Sequence, residues 1–205
     1  MAKIQQQDGT TEEKIFNAAK KVFIAKGMAG ARMQDIADEA GINKALLHYY
    51  FRNKEKLFET IFIEMSLRFL PRVNSIFESD MSLFEKIETF CREYISKIIE
   101  NPFIPLFILN EINKQPETFL KKMWGGKKPQ VAKLVEQIES EIKKGKIRKL
   151  NPDHLLMNMI SMCIFPFVGK PLCQRILGLN ETQFRNLMEE RKKEVPKFII
   201  DSISK

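Results

Sequence analysis

This sequence is poor in the residues that most often carry chemistry. It holds two histidines (His48 and His154), three cysteines and a single tryptophan in 205 residues. Cys91, Cys163 and Cys173 lie far apart, with no Cys-x-x-Cys pair and no metal-spaced Cys/His cluster. No His-Glu-x-x-His, Gly-x-Ser-x-Gly or dinucleotide-binding glycine pattern occurs. Gly125-Gly126-Lys127-Lys128 lacks the first glycine and the Ser/Thr of a phosphate loop. These absences argue against an enzyme, and no metal or cofactor is expected. Long apolar runs are missing too. The most apolar stretch, Leu155 to Val168, is interrupted by Asn158, Ser161 and Pro166, and falls short of the roughly 20 residues that span a bilayer. The polar start, Met1 to Asp8, lacks the apolar core of a signal peptide. A cytoplasmic protein with reduced, packed thiols and no membrane partner is the expectation.

What is present is helical periodicity. Ile15, Ala18, Ala19, Val22 and Phe23 form one stripe, opened by a capping box at Thr10 and Glu13 and closed at Gly27. Asn53 caps a long helix through Leu57, Ile61, Phe62, Met65, Phe69 and Leu70, with Pro71 marking a kink or an end. Ser82 and Glu85 form a second capping box, for a helix to about Glu100. Asn151-Pro152 opens a further helix, and Asn180 with Gln183 starts the last one, through Phe184, Leu187, Met188, Val195, Phe198, Ile199 and Ile203. No sustained alternating strand pattern appears. The chain reads as all-α with about nine helices.

Net charge is +8, which points to a polyanionic partner. The excess is unevenly placed. Residues 1–56 hold ten basic and seven acidic side chains, while residues 114–149 hold eleven and four. The 114–149 run reads first as a solvated helix face with its flanking loops.

The most informative stretch is residues 33–54. Met33 to Ala40 and Asn43 to Arg52 read as two short helices broken at Gly41, which can take the positive φ of a tight turn. That is the layout of a helix-turn-helix, which places its second helix in the major groove of DNA. Ile36, Ala37 and Ala40 face inward from the first helix, while Ile42, Leu47 and Phe51 pack the second against it. Asn43, Lys44, Ala45, Leu46, His48 and Tyr49 are left facing outward, a mixture of polar groups and apolar contacts suited to base edges and phosphates.

Asp35-Ile36-Ala37, Ala40-Gly41-Ile42, Leu47, Tyr50-Phe51 and Asn53-Lys54 resemble the N-terminal motif of the TetR/AcrR family of bacterial transcriptional regulators. The resemblance covers about residues 11–58. His48 and Leu46 depart from it, standing where the family usually has Tyr and often Thr, as do Arg32 and Met33 where a Thr pair is common. The resemblance implies phosphate contacts from Gln34, Lys44, His48 and Lys54, and base or groove contacts from Asn43, Ala45, Leu46 and Tyr49. It implies a three-helix DNA-binding domain over 1–54, joined by a long fourth helix to a helical effector-binding and dimerisation domain over 55–205. The partners implied are a double-stranded DNA operator, a small-molecule effector of unknown identity and a second copy of the chain. Repression relieved by the effector is the implied mode.

Pocket candidates are Met65, Phe69, Phe90, Tyr94, Phe107, Glu111, Met159 and Cys163, chosen for aromatic, Met or isolated polar character on apolar segments. Taken singly, each reads more readily as plain core than as ligand cage. Two other functions remain open on the residues alone. One is a thiol redox-sensing regulator using Cys163 and Cys173, with Pro166, Gly169 and Pro171 bending the chain between them. The other is a helical adaptor that binds an acidic partner through residues 114–149.

Overall fold

In the computed structural model, residues 8–126 and 129–205 are described, and they form eleven helices. These are α1 Asp8–Gly30, α2 Met33–Ala40, α3 Lys44–Tyr50, α4 Lys54–Glu78, α5 Leu83–Glu100, α6 Ile104–Lys114, α7 Pro116–Met123, α8 Ala132–Lys143, α9 Pro152–Val168, α10 Lys170–Leu177 and α11 Glu181–Ile203. The only extended pairing among the described residues is a bridge between Ile147 and Ser204. The all-α expectation therefore holds, with two more helices than the nine expected. Short helices separated by one or two residues, such as α6 and α7, leave too little periodicity to be resolved by pattern alone.

The caps explain where several helices start. Asn53 Oδ1 accepts the Lys56 amide at 2.8 Å, and Asn151 Oδ1 accepts the Asp153 amide at 2.8 Å. Ser82 with Glu85 and Asn180 with Gln183 close reciprocal boxes. The Thr10 cap falls on a side chain outside the described residues, and α1 opens two residues earlier, at Asp8. The polar start at residues 1–7 and Lys127-Lys128 lie outside the described residues as well. Gly27, with φ 65° and ψ 174°, breaks the helical path inside α1 where an end was expected. Pro71 does not end α4, which continues to Glu78.

The chain divides into two compact units, Met1–Leu67 and Arg68–Lys205. The division lies inside α4, beyond the residue 54 boundary read from the sequence. The physical reason is burial. Leu57, Phe58, Ile61 and Phe62 of α4 are buried along with Ile15, Ala18, Ala19, Val22 and Phe23 of α1. The Phe23 and Phe58 rings meet edge-on at 4.7 Å. Each such side chain withdrawn from water contributes roughly 1.5–3 kcal/mol, so the start of α4 belongs to this small core.

In the second unit, α5 packs chiefly on α11 and also on α9 and α8. Its core runs from Val73, Ile76 and Phe77 through Ile87, Phe90 and Cys91 to Met159, Cys163, Met188, Val195 and Ile199. Two lysines meet the carbonyl end of α4. Buried Lys86 donates to the Phe77 carbonyl at 2.8 Å, and Lys133 donates to the Glu78 carbonyl. Cations suit a helix C-terminus, where unpaired carbonyls concentrate negative partial charge. No single helix among the described residues is long and apolar enough to cross a membrane, and α9 with α10 passes that test only as a pair bent by 78°.

Candidate nucleic-acid interface

The geometry of residues 33–54 starts at Gly41. Its φ of 67° closes the turn after α2, and the Ile42 amide returns to the Ala37 carbonyl at 3.0 Å. A Cβ at position 41 would meet nothing within 4 Å, so the left-handed backbone itself is what requires glycine. Asn43 then caps α3, its Oδ1 accepting the Leu46 amide at 2.7 Å. Ile36, Ala37, Leu47 and Phe51 are buried as expected, and Phe16 of α1 lies 5.6 Å from Phe51, ring to ring.

With Leu47 inward, α3 turns its other side to solvent. Successive residues step about 100° around the axis, which puts Ala45 and Tyr49 almost opposite Leu47, with Leu46 and His48 flanking them. Asn43, Lys44, Ala45, Leu46, His48 and Tyr49 are all exposed, Tyr49 at 83%. His48 Nδ1 lies 3.2 Å from the Arg52 carbonyl oxygen, which can only accept. That bond leaves Nε2 pointing away from it.

Not every expected contact residue is uncommitted. Gln34 is exposed but donates from Nε2 to Asp38 at 2.7 Å. Lys54 is half-buried, and its Nζ donates to the Ala31 carbonyl at 3.1 Å, tying the start of α4 to the α1–α2 connection. The carboxylates of α2 are also occupied. Lys26 holds Asp35 at 3.0 Å and Lys21 holds Glu39 at 2.8 Å. Lys26, then the Arg32 backbone amide, keep the Asp35 carboxyl below its usual range. Two of the three α2 carboxylates are thereby paired with cations within the unit, Asp38 meets the uncharged Gln34 amide, and the α3 side carries Lys44 and Arg52.

The eight pocket candidates are spread over both compact units. Met65 lies in the first compact unit and the other seven in the second. Phe90, Met159 and Cys163 are fully enclosed core residues. Phe69, Tyr94 and Phe90 form a row with centroids 5.3 and 5.2 Å apart, continued by Phe77 at 5.2 Å. Burial pushes the Tyr94 phenol up from its ordinary value. Phe107 packs edge-on against Phe119 at 5.8 Å. Glu111 is paired with Lys114 at 2.9 Å on the surface of α6, one turn apart, rather than buried. A shallow groove of about 230 Å³ opens instead between α9 and the end of α11, bordered by Arg148, His154, Asn158 and Phe198. Sequence spacing offered no signal for it, because its walls are some 50 residues apart.

The thiols are free, with Cys91 and Cys163 buried and Cys173 half-buried. Cys163 shares the buried core with Cys91 of α5, and its closeness together with burial pushes the Cys91 thiol up. Both thiols are enclosed, a poor setting for a reactive thiolate.

Against this geometry, three comparisons bear on kinship. The family model described as bacterial regulatory proteins, tetR family, matches residues 15–61. The HTH-type transcriptional regulator RutR of Escherichia coli is 25% identical over 142 residues, 69% of this chain. The matched stretch spans 66% of RutR, just under two thirds of its length. The HTH-type transcriptional repressor NicS of Pseudomonas putida is 41% identical over 56 residues, 27% of this chain and 26% of NicS. A crystal structure of the transcriptional regulator FadR from Bacillus subtilis in complex with stearoyl-CoA covers 93% of this chain and 98% of its own, with a TM-score of 0.61 and 17% identity. That last likeness is one of fold alone.

Proposed function

We propose, from the premise that this chain is a helix-turn-helix transcriptional regulator of the TetR family, that it represses transcription as a dimer on a palindromic operator. The observation that carries the reading is α3: a short helix capped by Asn43, anchored by Leu47, with its outer side unobstructed. Lys44 and His48 are assigned to phosphates, Ala45, Leu46 and Tyr49 to the groove floor. Gln34, Asn43 and Lys54 serve there mainly by fixing the two helices and the turn, through the hydrogen bonds they already make. Work on the chromosome puts the protein in the bacterial cytoplasm.

Dimerisation is assigned to α9 and α11. Met157, Ile160 and Phe165 of α9 and Phe198 of α11 are exposed. Such a set of large apolar side chains on two adjacent helices favours a self-complementary contact. Two copies would carry their reading helices about 34 Å apart, into successive major grooves.

A small effector with apolar character is assigned to the second unit, beside the half-buried Phe69 and Tyr94 rings. The complex of FadR with stearoyl-CoA is a precedent for a ligand that carries a long acyl chain on this fold. Because α4 contributes residues to both compact units, it is the element assigned to carry the effector signal. The ligand acts only by preferring one of two dimer shapes.

The test is selection of bound sequences by the purified full-length protein from a random duplex pool at near-physiological salt. A palindrome with half-sites about one helical turn apart is expected. Binding without enrichment would reject the reading and favour an adaptor that uses the basic 114–149 region.

A further inference from the structure

The outer side of α3 is unusually short of groups that read bases by hydrogen bonding. It carries no arginine, the side chain that most often pairs bidentately with guanine. An amide reads adenine by accepting from N6 and donating to N7 at once. Asn43 is poorly placed for this, because its Oδ1 already holds the Leu46 amide, and turning it toward a base would weaken the cap that fixes the start of α3. Gln34 Nε2 is given to Asp38. His48 spends Nδ1 on the Arg52 carbonyl, which leaves Nε2 as a single acceptor and no bidentate contact. Lys44 sits in the first turn, beside rather than on the outermost ridge, where a flexible ammonium suits a phosphate.

What stands outermost is a methyl and a ring. Ala45 and Tyr49, one turn apart, form the ridge opposite Leu47, with Leu46 beside them at 36% exposure and Tyr49 at 83%. A ridge of this chemistry seats against apolar matter. Only one base offers an apolar group in the major groove, thymine through its C5-methyl.

We infer that this protein identifies its operator chiefly through thymine methyl groups packed against Ala45, Leu46 and the Tyr49 ring. The inference rests on the DNA-reading function proposed above and names what that function reads. The Tyr49 hydroxyl is not required for discrimination. Phosphate contacts then supply affinity without sequence information.

The experiment takes the operator obtained by selection and replaces each thymidine, one at a time, by deoxyuridine. This deletes one methyl and changes no hydrogen-bonding group. Binding of the unmodified full-length protein is followed by fluorescence anisotropy. One position in each half-site is expected to weaken binding about fourfold, and the symmetric pair of replacements about fifteenfold. Y49F should keep that penalty. A45G should shrink it, its folding being checked by circular dichroism, while the deoxyuridine scan itself needs no variant. An enriched operator indifferent to every replacement would overturn this inference and leave the DNA-reading function standing. So would a preference that survives all replacements but vanishes in K44M, which would assign readout to a guanine contact. Absence of any enriched sequence would overturn the DNA-reading function and this inference with it.

Discussion

Two lysines show how one residue type is put to opposite uses. Lys44 is exposed on the reading helix and Lys86 is 1% exposed in the second core. Lys44→Ala is expected to weaken binding to all sequences alike and to reduce the slope of log affinity against log salt by about one per protomer, with unfolding unchanged. Anisotropy titrations at three salt concentrations check this. Lys86→Met removes the donor to the Phe77 carbonyl and is expected to cost about 1 kcal/mol at neutral pH. Burial lowers the Lys86 pKa from 10.5, with the Lys133 charge acting in the same direction. The unfolded chain therefore keeps its proton to higher pH than the folded one. The penalty is full below the folded pKa and is relieved as pH rises toward 10.5, so this group makes stability climb with pH there. Denaturant titrations from neutral pH up to 10.5 should show a shallower climb for Lys86→Met than for the natural protein.

Among the elements, the turns and caps were the most legible parts. Gly41, Asn53, Ser82, Asn151 and Asn180 all stand where local chemistry demands them, because a cap is decided within four residues. Gly41→Ala forces a side chain into the left-handed region and is expected to cost about 1–2 kcal/mol of stability and to blunt DNA binding by tilting α3. Thermal melts with parallel binding curves would expose it. A melt with no loss would mean that the turn relaxes freely. Ser82→Ala removes one arm of the α5 capping box and should cost about 1 kcal/mol with DNA affinity unaltered, as read by denaturant midpoints. What pattern could not give was the continuation of α4 past Pro71 to Glu78. The carbonyl end of that helix is held by Lys86 and Lys133, the latter 55 residues away, inside a run that read as solvated surface.

At the scale of the molecule, the decisive prediction concerns Phe198. It shares a helical stripe with Val195 and Ile199, which are buried, yet it is 61% exposed. Phe198→Glu is expected to leave a folded monomer at micromolar concentration and to cut operator affinity about a hundredfold, since each head then binds alone. Sedimentation velocity and anisotropy on the same preparation would check both. A dimer that persists would move the interface away from α11.

The sequence by itself determined the helical class, the placement of most caps, the stripe that packs α1 and the identity of the side chains on α3. Each depends on periods and spacings of a few residues, which the backbone's own geometry enforces. Only the tertiary structure decided which thiol Cys163 meets, that Glu111 is spent on Lys114, that Asn43 and Gln34 are already bonded, and that the first core runs into α4 as far as Phe62. Those outcomes depend on which distant segments compete for the same apolar surface and the same hydrogen bonds, and neither competition is visible along the chain.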